Sequence, residues 1–190
     1  MTTLKRIFIA LNLPHAIKQE LLSLREQLHD LPARWTTVEN LHVSLAFLGN
    51  KSEQELAQIS TILQDVGKTQ APISLSFTNT MYGPSPKNPR MIWAVLKPTQ
   101  ELLALQGTIE KNLALANFFE AEHALFFPHV TLARLKDTEF RRMEEEERPT
   151  IEIPLSLYCN ISSIDLMESM QGRGVAEYKS LASIQLTKTL

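Results

Sequence analysis

Two short strings in this chain pair a histidine with a hydroxyl at the same spacing, His42-Val43-Ser44-Leu45-Ala46 and His129-Val130-Thr131-Leu132-Ala133. One such pair is a weak signal, but the five-position echo is self-similarity that has to be explained first. Imidazole has an unperturbed pKa of about 6.5, so near neutral pH one ring can take a proton while another gives one. Two histidines flanking a substrate therefore make a simple acid and base pair, one neutral and the other protonated. The hydroxyls of Ser44 and Thr131 can donate to the non-bridging oxygens of a phosphate, and an imidazolium offsets charge gathering on a leaving oxygen. In-line displacement at phosphorus sets nucleophile and leaving group on opposite sides, which suits groups supplied from opposite walls of a cleft. The scheme calls for no cofactor and no metal, and no HExxH or comparable ligand spacing is present.

The elements that must carry these residues can be read from periodicity and punctuation. Residues 5–12, KRIFIALN, form a buried strand, and Asn12 and Pro14 supply a helix start. Ile17, Leu21, Leu24 and Leu28 are the stripe of an amphipathic helix that Pro32 closes. ENLHVSLAFLGN is a strand ending at Gly49; Ser52 to Glu55 is a capping box opening a helix with stripe Leu56, Ile59, Leu63 and Val66, stopped by Gly67. PISLSFTNT, from Pro72, is a further strand. GPSPKNPR, residues 83–90, cannot continue a helix or a ladder and marks a seam. The order then repeats: strand MIWAVL, a helix opened by Pro98 and Thr99 with stripe Leu102, Leu105, Ile109 and Leu113, and strand PHVTLARL. A charged helix over roughly 138–147 follows, then strand-like IEIPLSLYCNISSIDLMES and AEYKSLASIQL, with QGRG as their turn. The expectation is one α+β domain over 1–190, bilobed by internal duplication, with two antiparallel-rich sheets and outer helices about a pseudo-twofold axis.

Alternation along a strand puts His42, Ser44 and Ala46 on one face and Val43, Leu45 and Phe47 on the other; His129, Thr131 and Ala133 likewise oppose Val130 and Leu132. Each strand then buries its Val/Leu face against helices and turns His plus hydroxyl toward a central cleft. By this count Phe47 is core, although an aromatic bordering the cleft could stack on a base. Strict alternation also sends Arg134 to the Val130 face unless the strand twists or bulges there.

These motifs resemble the two-histidine phosphoesterases, and within them the RNA 2′,3′-cyclic phosphodiesterases, also described as 2′-5′ RNA ligases. The resemblance runs through IFIALNLP, Arg34-Trp35, NLHVSLAFLG, RMIW, FFPHVTLAR and the final strands around Tyr178. It implies metal-independent opening of a terminal RNA 2′,3′-cyclic phosphate to a 2′-phosphate, with RNA ends such as tRNA fragments, or nucleotides, as substrates and reversible 2′-5′ ligation as a related reaction. Carried over, His42 is the proton donor to the leaving 3′ oxygen and His129 the proton acceptor that activates water; the residues by themselves leave the two roles interchangeable. The first motif has Ser44 where the family more often has threonine, which keeps the donor. Arg134 stands where the family has an arginine associated with substrate, and Phe47 and Arg90 complete the substrate-binding candidates.

Composition limits the alternatives. A net charge of −2 argues against an extended basic nucleic-acid footprint and leaves a small phosphate-bearing target, met by a few cations among Arg34, Lys87, Arg90, Arg134, Lys136 and Arg173. The run Glu144 to Glu147 reads as a solvated surface. The lone Cys159 excludes a disulfide framework and fits a buried thiol in the cytoplasm; no apolar stretch approaches the roughly 20 residues of a membrane span. A monomer is expected. Trp35 and Trp93 read as packing residues, and His15, His29 and His123 as surface or helix residues without the motif. The competing reading is a non-catalytic module that binds RNA ends or nucleotides on the same scaffold, which would bind without turnover.

Overall fold

The structure is a computed structural model that describes residues 4–120, 125–171 and 176–188. Strand β1, Lys5–Asn12, is followed by helix α1, His15–Gln27. Leu21, Leu24 and Leu28 of the expected stripe are buried, and Ile17 packs partly buried against them. A short strand β2, Ala33–Trp35, and a 3-10 turn, Val38–Asn40, lead into β3, His42–Lys51. Helix α2, Glu53–Thr69, opens with the expected capping box: Ser52 Oγ accepts from the Glu55 amide, and the Glu55 side chain accepts from the Ser52 amide. Strands β4, Ile73–Gly83, and β5, Met91–Leu96, come next, then α3, Gln100–Leu115, capped by Thr99, and β6, His129–Leu135. One-turn helix α4, Asp137–Phe140, and strands β7, Tyr158–Ile161, β8, Ser163–Gln171, and β9, Ala176–Gln185, complete the described elements.

All pairings in the sheet are antiparallel, in the order β7-β4-β5-β6-β3-β1-β8-β9, with β2 added to β6. The two antiparallel halves, β3-β1-β8-β9 and β6-β5-β4-β7, meet only where Val43 pairs with Val130. The spatial halves are not the sequence halves: β4 joins the half built on β6, and β8 and β9 complete the half built on β3. The Pro-rich stretch between β4 and β5 is thus a connection inside one half. Helices α2 and α3 touch each other, and lie against β8 and β9 and against β3 and β4 respectively. The apolar stripes Leu56, Ile59, Leu63, Val66 and Leu102, Leu105, Ile109, Leu113 enter one continuous core there.

Several local expectations differ from the structure. Gly49 does not end its strand; it sits inside β3 with φ +71°, next to a register shift against β1, where a positive φ lets the strand bulge and continue. Gly67 does not stop α2 either. A Cβ there would lie 2.5 Å from the Gln185 carbonyl oxygen and 2.8 Å from Ile184 Cγ2, so glycine lets the helix lie directly on β9. The charged helix over 138–147 is only α4 and a separate 3-10 turn, Glu145–Glu147. IEIPLSL contributes one bridge, Pro154 to Asn79, and regular pairing starts at Tyr158. Of the expected turn QGRG, residues 172–174 lie outside the described residues, as does Arg173 among the candidate cations.

Candidate active site

The two histidine strands share more than sequence. Along β1, Ile9 pairs with Ala46 and Ala10 with Ser44, leaving Leu45 as an extra residue; along β5, Ile92 pairs with Ala133 and Trp93 with Thr131, leaving Leu132 extra. Leu45 and Leu132 stand at the same place in the two motifs, three residues after the histidine. A bulge of this kind shifts the phase of alternation for everything beyond it. Burial follows the shift: in both strands the first five motif residues run half-buried, buried, half-buried, buried, buried, and the sixth is exposed. The sixth residues are Phe47 and Arg134.

Both therefore return to the histidine face. Phe47 is 63% exposed, and its ring lies 5.9 Å from that of Phe8, which in turn lies 5.0 Å from His42. The core placement of Phe47 is thus overturned by the bulge, which leaves the ring exposed beside Phe8. Arg134 Nη1 and Thr131 Oγ1 both approach Met91 Sδ, at 4.0 Å each, which sets them on one face.

Val43 opposite Val130 is the pivot of the site. One step either way in an antiparallel ladder carries His42 toward Thr131 and Ser44 toward His129, on the face opposite the valines. The histidines fall on a diagonal of that square, and diagonal neighbours in a regular ladder are roughly 7–8 Å apart, their Cβ atoms somewhat closer.

The rings are held alike. His42 Nδ1 lies 2.8 Å from the carbonyl oxygen of Asn40, and His129 Nδ1 lies 2.8 Å from that of Phe127, in each case two residues upstream. A carbonyl only accepts, so Nδ1 carries the proton in both, and Nε2 is the nitrogen left for chemistry. His42 Nε2 is 2.9 Å from Ser44 Oγ, which donates to it when the ring is neutral.

Burial is the main cause that pushes His42 down to about 4; the Asn40 carbonyl opposes the shift, and the Lys18 ammonium and His129 add to it. Burial also lowers His129, against the pull of the Phe127 carbonyl. Both rings thus favour the neutral form when the cleft holds no anion. The pairing of Val43 with Val130 sets the two histidine strands side by side, close enough for His129 to add to the lowering of His42.

Their surroundings are less symmetric. His42 packs against Phe8 and stands edge-on to Tyr178, with centroids 5.2 Å apart, whereas Trp93 stacks on His129 at 3.8 Å with 24° between planes. Trp93 is 8% exposed and so is a packing residue, as its type suggests, and what it packs on is the His129 ring. Behind His42, buried Lys18 of α1 donates from Nζ to the carbonyl of Glu39 at 3.2 Å. The amide of Tyr178 donates to Asn40 Oδ1. These two bonds pin the turn whose Asn40 carbonyl holds the His42 ring. Burial lowers the Lys18 pKa, opposed by the charges of Glu39 and buried Asp165.

Sequence reasoning passed over Lys18, Asn40 and Phe8. Lys18 offered one signal, a cation three residues before Leu21 at the edge of the apolar stripe; the other two needed the register. Arg90 is exposed at the β5 end of the sheet, where its carbonyl accepts from the Leu135 amide. Lys87 lies exposed in the adjoining connection. His15 and His29 lie exposed, bonded to Gln19 and to Glu26 and Asp30, and His123 lies outside the described residues. Cys159 is buried, which raises its thiol to about 11 and makes it a poor nucleophile. Among the described residues no three His, Cys, Asp or Glu side chains gather to hold a metal ion, and no helix is long and apolar enough to cross a membrane.

The family model described as LigT-like phosphoesterase matches residues 11–93. A relative from Archaeoglobus fulgidus named RNA 2′,3′-cyclic phosphodiesterase is 30% identical over 132 residues, which cover 69% of this chain and 73% of the relative. A protein of the same name from Escherichia coli is 26% identical over 99% of this chain and 100% of its own length. Among solved structures, Escherichia coli LigT complexed with 3′-AMP superposes with a TM-score of 0.79 at 25% identity, over 98% of this chain and 100% of that one. TT0787 of Thermus thermophilus gives a TM-score of 0.81 at 22% identity, over 95% and 97%, a likeness of fold. The bulged histidine strands are thus set in a curled antiparallel sheet of known type, and the identity to the Archaeoglobus relative over most of both sequences decides the matter: the chain belongs to the LigT-like phosphoesterase family.

Proposed function

We propose that this protein opens the 2′,3′-cyclic phosphate at an RNA end to a 2′-phosphate by histidine acid and base catalysis. The observation that carries the reading is the matched pair of imidazoles, His42 and His129, each with Nδ1 committed to a carbonyl, so that Nε2 is the nitrogen for proton transfer, once Ser44 Oγ turns from His42 to the phosphate. The names of the relatives supply the substrate class.

In this mechanism His129 takes a proton from water as the water oxygen bonds to phosphorus. The P–O3′ bond breaks on the opposite side, and His42 gives its proton to the departing 3′ oxygen. The 2′ ester survives, and the product is a 2′-phosphate with a free 3′-hydroxyl. Ser44 and Thr131 donate to the non-bridging oxygens, where charge builds. An RNA 5′-hydroxyl entering in place of water would form a 2′-5′ linkage by the same proton transfers. Because both rings favour the neutral form in the free protein, His42 must gain its proton as the anionic substrate binds, since a negative charge beside an imidazole raises its pKa. Phe47 and Arg134 line the substrate side of the cleft, and Arg90 lies within reach of the β5 end.

We also infer that the β1-α1-β3 and β5-α3-β6 units descend from an internal duplication within one domain; the matching bulges support this. Buried, unpaired Cys159 supports a reducing cytoplasm, and the reading requires only a monomer.

The test is product analysis without added metal, using an RNA ending in a 2′,3′-cyclic phosphate. The expected product is a 2′-phosphate, and turnover is expected to fall by roughly 10²–10⁴ in both His42→Ala and His129→Ala. A 3′-phosphate product, or full activity in either variant, rejects the mechanism. Residual activity also assigns the roles: His42→Ala is expected to lose the alkaline limb of the pH profile, because an acid fails when it deprotonates.

A further inference from the structure

Beside the histidine cleft lies a groove of about 500 Å³ between β2, the far end of β6 and Tyr178 of β9. It opens next to His42: Asn40, whose carbonyl holds that ring, and Tyr178, whose ring stands edge-on to it, are both in its wall. Its other wall carries Arg34, Arg134 and Lys136. Arg34 and Arg134 are exposed and directly opposite in the β2–β6 ladder, so their side chains leave the same face. Like charges directly opposite in an antiparallel ladder cost stability, and an anion seated between them reverses the sign of that interaction. In a chain of net charge −2, three cations on one wall are a local concentration.

Both carboxylates at the lip have cation partners of their own. Asp137 accepts from Arg141 Nε at 2.7 Å, and Glu139 holds Lys136 Nζ at 3.1 Å in an exposed i,i+3 pair. Such a pair contributes little, so Lys136 can exchange it for a phosphate without much cost. Trp35 and Tyr178 supply aromatic surface on the two sides, the kind on which unstacked RNA bases rest.

An RNA whose cyclic phosphate lies between the histidines can extend in one direction only, toward its 5′ end. We propose, resting on the hydrolase reading above, that this groove binds the phosphodiester on the 5′ side of the terminal nucleotide through Arg34 and Lys136. Arg134, in the same lining, shares the Met91 sulfur with Thr131.

The experiment compares kcat/KM for a dinucleotide ending in a 2′,3′-cyclic phosphate with that for a nucleoside 2′,3′-cyclic phosphate. Wild type, Arg34→Gln and Lys136→Gln are measured at several salt concentrations. Wild type is expected to prefer the dinucleotide by roughly tenfold or more, the scale of one charge-assisted hydrogen bond. Each variant is expected to bring that ratio toward one and to reduce the salt slope for the dinucleotide by about one. No preference in wild type, or a fall in both substrates by one common factor, overturns the subsite while leaving the hydrolase reading intact. No turnover of either substrate by wild type overturns both.

Discussion

The buried state of His42 makes folding stability a readout of the site. An imidazole moved from its ordinary 6.5 to about 4 by the folded environment corresponds to about 3 kcal/mol, at roughly 1.4 kcal/mol for each tenfold in proton affinity. The sign follows from which state binds the proton. Between pH 6.5 and about 4 the unfolded chain protonates this ring and the folded chain does not, so lowering the pH through that window draws the equilibrium toward unfolding. Above pH 6.5 the ring is neutral in both states and the contribution is complete. Urea denaturation of wild type and His42→Gln at pH 7.5 and pH 4.5 isolates this group, because the carboxylates titrate alike in both proteins. Wild type is expected to lose about 2–3 kcal/mol more than the variant between the two pH values. In a thermal scan that is roughly 5–10 °C of extra loss in Tm for a chain of this size. Parallel pH dependence in the two proteins would refute the claim that the fold holds His42 neutral, and with it the need for proton uptake on substrate binding.

Two further outcomes follow from the packing. Gly67→Ala gains up to about 1 kcal/mol of helix propensity but sets a methyl 2.5 Å from the Gln185 carbonyl, an overpacking that costs about 1–3 kcal/mol; a lowered urea midpoint is expected, and a raised one would mean that α2 lifts easily from β9. Lys18→Met leaves Asp165, 4% exposed and with Oδ1 lacking a hydrogen bond, without the nearby cation, so it is expected to cost more alone than beside Asp165→Asn, with a coupling above about 1 kcal/mol in a double-mutant cycle; additivity within error would show that the two charges do not sense each other.

Much of the site was legible in one dimension because its chemistry is local. The spacing of His42 to Ser44 and of His129 to Thr131 selects one strand face, and the repeated string ties the two faces to one purpose. The helices were legible for the same reason: Leu102, Leu105, Ile109 and Leu113 recur at helical period and are each fully buried. Phe47 and Arg134 were assigned to the wrong face by strict alternation, since a bulge is set by pairing between strands. Nothing in Leu45 or Leu132 marks it as the extra residue. Gly67 misled likewise: its sequence context matches a helix stop, but its reason is the Gln185 backbone far along the chain.

The sequence by itself determined the candidate acid and base groups, the elements that carry them and the existence of two related strands, because residue type, periodicity and repetition act over short stretches. Only the tertiary structure decided how they combine. Pairing of Val43 with Val130 turned two motifs into one cleft, and the paired bulges returned Phe47 and Arg134 to it. The fold also brought Lys18, Asn40 and Tyr178 behind one histidine and Trp93 against the other, so that two nearly identical strings experience different surroundings. Those decisions depend on register and burial between distant segments, which no local pattern in the chain encodes.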